Sequence, residues 1–179
     1  VLTHNLRDIK KITFFIDECL RQQLPVLGPD INESDEDFTV TDKGGIRFGL
    51  AAIKGVGENA VASVIEERNA NGLFKDVFDL AKRVNLRTVN RRNFEALAYA
   101  GAFDGFENTH RAQYFYRDSN DDTIFLEKII RYASNYQVRS NAAQQSLFGD
   151  DQAVQMPEIE LPVCEPWGKI EQLKHEKEV

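Results

Sequence analysis

Gly55-Val56-Gly57 stands between apolar residues at helical spacing, Leu50 and Ile53 before it and Val61, Val64 and Ile65 after it. The chemistry this stretch offers is anion binding. Two glycines around one apolar residue let the backbone turn without a Cβ penalty and let a phosphate come close to peptide N–H groups. The amides after Gly57 fall at the start of the following helix, where unsatisfied donors and the helix dipole favour negative charge. Lys54 adds a cation beside them, Val56 is expected to point inward as a plug, and Ala60 is small where two helices must approach closely. Residues 50–68, LAAIKGVGENAVASVIEER, therefore read as helix, glycine hairpin, helix. Lys54, Gly55, Val56, Gly57, Glu58 and Asn59 form the candidate phosphate-backbone site.

A second, degenerate copy follows. Asn90 to Ala100 (NRRNFEALAYA) predicts a helix stopped by Gly101, Ala102 to Gly105 make a turn, and His110 to Tyr116 is helical again. A tandem pair is the natural architecture, because one copy alone buries too little apolar surface. Arg87, Arg91 and Arg92 precede or open the helix leading to the second turn, and His110 and Arg111 follow that turn. All five, with Gly101, are candidates for contacting phosphates. The simpler alternative for each cation is a solvated helix face. Tyr114, Phe115 and Tyr116 read as core and surface aromatics rather than as stacking platforms for bases.

The elements that must position these residues are mainly helical. Asn5 to Gln23 predicts an amphipathic helix, with Leu6, Ile9, Ile12, Phe15, Ile16 and Leu20 on one face. Pro25, Gly28 and Pro29 impose an extended path after it. Phe38 to Thr41 and Ile46 to Leu50 alternate around Asp42-Lys43-Gly44-Gly45, which predicts a short β-hairpin leading into the glycine motif. After Arg68 the segment NANG breaks the helix, and Asp76 to Val84 predicts a connector helix. Thr123 to Tyr136 predicts one more amphipathic helix, and Gln137 to Pro166 reads as a polar linker with three of the five prolines. Within it QQSLFG places two large apolar residues in an acidic stretch with no core to enter, the form of a short docking motif. Pro166, Trp167 and Gly168 introduce a last helix from Lys169 to Val179, expected to belong to a following domain.

Composition sets the outer limits. At 179 residues and 42% hydrophobic content the chain has material for one or two small domains. Its longest apolar runs fall far short of the roughly 20 residues that cross a bilayer, so no membrane contact is expected. Cys19 and Cys164 stand far apart without a CxxC pattern, which fits a reducing compartment and offers no metal site. The chain begins at Val1 and ends in a charged run, so it is expected to be a segment of something longer. The net charge of −7 is unevenly spread: residues 43–117 carry 12 Lys/Arg against 8 Asp/Glu, while both flanks are acidic.

The runs LPVLGPDINES, GGIRFGLAAIKGVGENAV and VNRRNFEALAYAGAFD, with HRAQYF, SLFG and EPWGKIEQLKHEKEV, resemble the alpha subunits of bacterial polymerase III, the C-family replicative DNA polymerases. That resemblance implies a tandem helix-hairpin-helix module that holds duplex DNA behind the polymerase active site. It implies the end of a fingers domain over residues 1–30, the module over 31–117, a helix over 118–136, a linker with a clamp-binding motif over 137–168, and from 169 the approach to an OB-fold. The first hairpin is carried over to Lys54 through Glu58 and the degenerate second one to Gly101, Ala102 and Phe103. Gln144, Gln145, Ser146, Leu147 and Phe148 match the family's internal sliding-clamp motif in form and place. Leu147 and Phe148 would fill a clamp pocket, and Gln144 would bond its rim.

The implied partners are primer–template duplex, the sliding clamp and other polymerase subunits, in the bacterial cytoplasm. The parent's Mg²⁺ ions for nucleotidyl transfer would be held by acidic residues outside this chain, so no catalytic residue, metal site or cofactor is expected here. Two other classes remain open. A base-excision glycosylase uses the same hairpin and needs an Asp about twenty residues beyond it, for which Asp79 is the candidate. A helical protein-interaction module would need no DNA contact, and the acidic net charge favours that alternative.

Overall fold

The computed structural model describes residues 9–119, 121–145 and 159–179. Among them are seven α-helices and five short strands: α1 (Ile9–Arg21), β1 (Val26–Leu27), β2 (Thr39–Val40), β3 (Ile46–Arg47), α2 (Glu58–Asn71), α3 (Val77–Arg83), α4 (Arg91–Ala100), α5 (Arg111–Tyr114), β4 (Arg117–Asp118), β5 (Asp121–Ile124), α6 (Phe125–Gln145) and α7 (Lys169–Glu176). The mainly α class is as expected.

The small sheet has the order β1-β3-β2. The expected β-hairpin is present as the antiparallel pair β2 and β3, with Thr39 opposite Arg47 and Val40 opposite Ile46. Its turn closes where the Thr41 hydroxyl accepts from Gly45 N–H and Gly44 takes φ +78°. The extended Pro25–Pro29 path supplies a third strand, β1, parallel to β3. Pairing stops before Leu50 because the chain there turns inward. The Leu50 and Ala51 amides donate to the carbonyls of Asp35 and Glu36, and the first helix of the glycine motif shortens to one 3-10 turn over Leu50–Ala52.

The core is built from the inward faces of both helical units. Val61 and Val64 of α2, Val77, Leu80 and Ala81 of α3, and Phe94, Leu97 and Ala98 of α4 are buried, with Phe103 and Tyr114 between them. Local chemistry sets the helix ends. Asp76 caps α3 by accepting from the Asp79 amide, and Asn90 caps α4 by accepting from Arg92 and Asn93. α2 runs three residues past Arg68 before Gly72, at φ +85°, ends it. Arg83 gathers that end by donating to the carbonyl of Gly72 at 2.7 Å while pairing with Glu67 and Asp79.

The boundaries differ from the sequence expectation in three places. α6 begins at Phe125 and not at Thr123, because Arg117–Asp118 and Asp121–Ile124 pair as antiparallel strands. α6 does not stop at Tyr136 but continues to Gln145. Gln137 holds it there: its Nε2 donates to the carbonyls of Ala81, Lys82 and Val84 at the end of α3, so the helix is docked beyond its last core residue. α7 does not stand apart as a separate region. Trp167 and His175 stack with Tyr99 and Phe115, at ring distances of 4.7 Å for Tyr99–His175 and 5.3 Å for Phe115–Trp167. Gln113 Nε2 reaches the carbonyl of Pro162 at 2.9 Å. The segment from 159 to 179 is a strap lying across the second helical unit.

Candidate nucleic-acid interface

The first hairpin has the shape the glycines require. Gly55 sits at φ +97°, a conformation that L side chains rarely adopt. Val56 is buried and Ile53 beneath it is more so, confirming the inward plug. Gly57 is the N-cap of α2 at φ −80°, with no capping side chain and open space where a Cβ would stand. Its carbonyl accepts from Ala60 and Val61. The amides of Gly57, Glu58 and Asn59 meet no acceptor among the described residues. Free donors at the positive end of a 14-residue helix are the arrangement that accepts an anion.

The second unit reaches this hairpin through the first turn of α4. A Cβ at Gly55 would lie 3.4 Å from Ala96 Cβ and 4.0 Å from Arg92 Nε. Asn93 donates from Nδ2 to the Gly55 carbonyl at 2.9 Å. Arg92 is exposed and has no carboxylate partner among the described residues, so its charge is available on the Gly55 side of α4. Lys54, next to Gly55 in the chain, is exposed. Its backbone N–H donates to the Val179 carbonyl at 2.8 Å and its Nζ lies 3.4 Å from the Glu178 carbonyl, so the end of the strap steadies it without neutralising it.

The second hairpin turns out differently. Gly101 is the left-handed C-cap of α4 at φ +84°, which explains the glycine. It is buried, though, and a Cβ there would run into the Arg111 guanidinium and come within 2.9 Å of Asp104 Oδ2. Arg111 is buried as well. It donates to Asp104 from Nε and Nη2, to Glu176 Oε1 at 2.6 Å and to the Tyr99 carbonyl. Burial pulls its pKa down, but the bonds to the two carboxylates outweigh that and leave it raised. Gly101 and Arg111 are therefore interior packing, not a phosphate contact, because the Arg111 donors are already used. His110 is half-buried and caps α5, its N–H donating to Gln113 Oε1. Phe103 is core, its ring tilted against Phe94 and edge-on to Tyr114.

Of the three arginines before the second hairpin, one is claimed by carboxylates. Arg91 pairs with Glu95 and with Glu127 of α6, and the Glu95 bond raises its pKa. Arg87 is exposed in the turn before α4 and unpaired among the described residues. The same sorting holds for the whole basic stretch. Six of its cations, Arg47, Arg68, Arg83, Arg91, Arg111 and Arg117, sit in ion pairs. Lys54, Arg87 and Arg92 stand among those left free.

Asp79, the glycosylase candidate, accepts from Arg83 and from the Lys75 amide, bonds that hold the ends of α2 and α3 together rather than face a pocket. Asp121 and Asp122 are tied to Lys128 and Arg117. Among the described residues no three His, Cys, Asp or Glu side chains gather as a metal site. Cys19 and Cys164 are free thiols. Ser146, Leu147 and Phe148 lie outside the described residues, as do Asp150 and Asp151, and Gln144 and Gln145 close α6. No described helix is long and apolar enough to cross a membrane.

Sequence comparison meets this geometry at the same place. A family model described as the helix-hairpin-helix motif matches residues 23–114, which contain both hairpins. The chain belongs to the helix-hairpin-helix family. The module is 46% identical over 112 residues, 63% of the chain, to DNA polymerase III subunit alpha of Haemophilus influenzae. Over 179 residues, 99% of the chain, it is 34% identical to the protein of that name from Escherichia coli, and over 178 residues 33% identical to the one from Deinococcus radiodurans. It spans 10% to 15% of the length of these curated relatives.

One residue that ties the first hairpin to α4 was not singled out from sequence. Asn93 was visible only as one position of a polar helix start. The signal that could have found it is the Asn-x-x-Asn spacing from Asn90, a reciprocal cap in which Asn90 N–H donates to Asn93 Oδ1 at 3.0 Å. The remaining Nδ2 donor of such a buried amide must find an acceptor, and it finds the Gly55 carbonyl.

Proposed function

We propose that this chain is a non-catalytic segment of a replicative DNA polymerase that holds duplex DNA by its phosphate backbone. The observation that carries this reading is the row of unoccupied amides at Gly57, Glu58 and Asn59, flanked by the free cations of Lys54 and Arg92. Backbone donors read no base, so the binding is sequence-independent and suited to an enzyme that travels along its template. The second hairpin serves the strap instead of DNA, since Arg111 and its aromatic neighbours are committed to α7. His110 at that hairpin and Arg87 before α4 are peripheral contacts at most.

The parent performs template-directed nucleotidyl transfer in the bacterial cytoplasm, with Mg²⁺ held by residues outside this chain. Among the described residues no three His, Cys, Asp or Glu side chains gather for that ion, and no step is assigned to it. The match of Gln144, Gln145, Ser146, Leu147 and Phe148 to a clamp motif supports a tether to the sliding clamp, beside contacts with other subunits of the polymerase.

The test is fluorescence anisotropy of the chain on short duplex and single-stranded DNA. A series from about 20 to 200 mM salt should give duplex-preferring binding that weakens with a slope near −0.9 per phosphate contacted. A Gly55→Val/Gly57→Val variant should lose it. Absence of binding at the lowest salt refutes DNA holding by this chain and leaves the helical protein-interaction module.

A further inference from the structure

We propose that Asn93 is a positioning residue for the phosphate site, resting on the DNA-holding reading above: it fixes the first hairpin to the second helical unit and sets Arg92 beside the open amides. Asn93 is buried, with 6% of its surface exposed, and its two polar atoms face different units. Oδ1 accepts from the Asn90 amide of its own helix, and Nδ2 donates to Gly55 across a gap of 38 residues in sequence. Gly55 presents no side chain and lies flush on Ala96. Its carbonyl bond to Asn93 is thus, among the described residues, the one hydrogen bond between the turn of the hairpin and α4, and packing against Ala96 sets distance but not rotation. Rotation matters because the donors of Gly57, Glu58 and Asn59 follow Gly55 directly in the chain.

The same link places Arg92. It is the residue next to Asn93, and its Nε lies 4.0 Å from where a Cβ on Gly55 would stand. The phosphate site is therefore composite: amides from the first unit, a guanidinium from the second, and one buried amide side chain that registers them. A phosphate bound by α2 would feel Arg92 only while that register holds.

Three variants of the chain separate positioning from simple helix stability. Asn93→Ala removes both bonds, Asn90→Ala removes the α4 cap but leaves Nδ2 on Gly55, and Arg92→Ala removes the charge alone. Expected for Asn93→Ala is a loss of duplex affinity of about tenfold, with the salt slope reduced by about one phosphate. Asn90→Ala, which costs α4 its cap, should stay within about twofold of the parent in affinity. Arg92→Ala/Asn93→Ala should lose less than the product of the single losses, because the two act through one contact.

A DNA-free readout runs beside these. Exchange of the Val56 amide, which bonds to Ile53 within the hairpin, should accelerate about fivefold in Asn93→Ala and stay unchanged in Asn90→Ala. Unchanged exchange at Val56 in Asn93→Ala overturns the anchoring, whatever the DNA result. Accelerated exchange with duplex affinity and slope intact overturns the positioning role. Failure of the parent chain to bind duplex, with Val56 responding as expected, overturns the DNA-holding reading instead.

Discussion

Gly57→Asp should make the chain more stable and a poorer DNA binder at once. Position 57 is the N-cap of α2, its φ of −80° is ordinary, and a Cβ would stand in open space, so the substitution carries no strain. The new carboxylate can accept from the free Asn59 amide, and Asp is a better N-cap than Gly by a few tenths of a kcal/mol. Its charge at the positive end of the helix adds about 0.3–1 kcal/mol. Repulsion from Glu58 next to it takes part of that away, leaving a net gain of roughly 0.5 kcal/mol. For a chain of this length that raises Tm by about 1–2 °C.

The effect on binding has the opposite sign because the carboxylate occupies the donors a phosphate needs. Charge-assisted hydrogen bonds contribute about 1.5–3 kcal/mol, so duplex affinity should fall about tenfold to a hundredfold at low salt. The salt slope should shrink by about 0.9, one phosphate. Calorimetric Tm and anisotropy titrations on the same preparation give both numbers. A variant that is stabilised and still binds duplex with unchanged affinity and slope would refute the argument that these amides are the site. A variant that loses both stability and binding would refute the geometry assigned to the cap.

Two further outcomes test the interior. Gly101→Ala should destabilise the fold by about 2–4 kcal/mol, from the left-handed φ and from displacing Arg111 off Asp104 and Glu176. The emission of Trp167, the single tryptophan, should shift to the red as the strap loosens; urea titration with an unmoved emission and a loss below about 0.5 kcal/mol would contradict the packing. Tyr114 is fully buried, donates to Thr109 Oγ1 at 3.0 Å, and burial pushes its pKa up to about 12. Its folded pKa lies above the unfolded value near 10, so its contribution is present below pH 10 and is lost as pH rises toward 12. Stability should fall by roughly 2 kcal/mol more between those limits in the parent than in Tyr114→Phe, measured by urea unfolding.

The hairpin was legible because its determinants are local. A positive φ at Gly55, an inward Val56 and a helix start after Gly57 all follow from residues within one turn of each other. The α4 cap was legible for the same reason. What the sequence hid is where long side chains end. Arg111 and Arg91 looked like their free neighbours Arg92 and Arg87, yet their partners Glu176 and Glu127 lie 65 and 36 residues away, and no spacing rule reaches that far. The extent of α6 was hidden likewise, since Gln137 reads as the start of a polar stretch until three carbonyls of the α3 end are seen around its Nε2.

Those hidden pairings change how the charge pattern bears on function. Counted along the chain, residues 43–117 have a surplus of four positive charges. Half of their cations are paired with carboxylates, so on the proposed reading the charge offered to DNA comes from the unpaired ones, Lys54, Arg87 and Arg92 among them. Long-range attraction must then be weak, with acidic segments on either side and screening beyond about 8 Å at physiological salt. On the proposed reading, affinity comes instead from short-range amide donors that act only once the phosphate is in place. A module of this kind adds little to the speed of encounter and contributes mainly by holding on, the behaviour that suits a grip kept close to DNA by the remainder of a larger assembly.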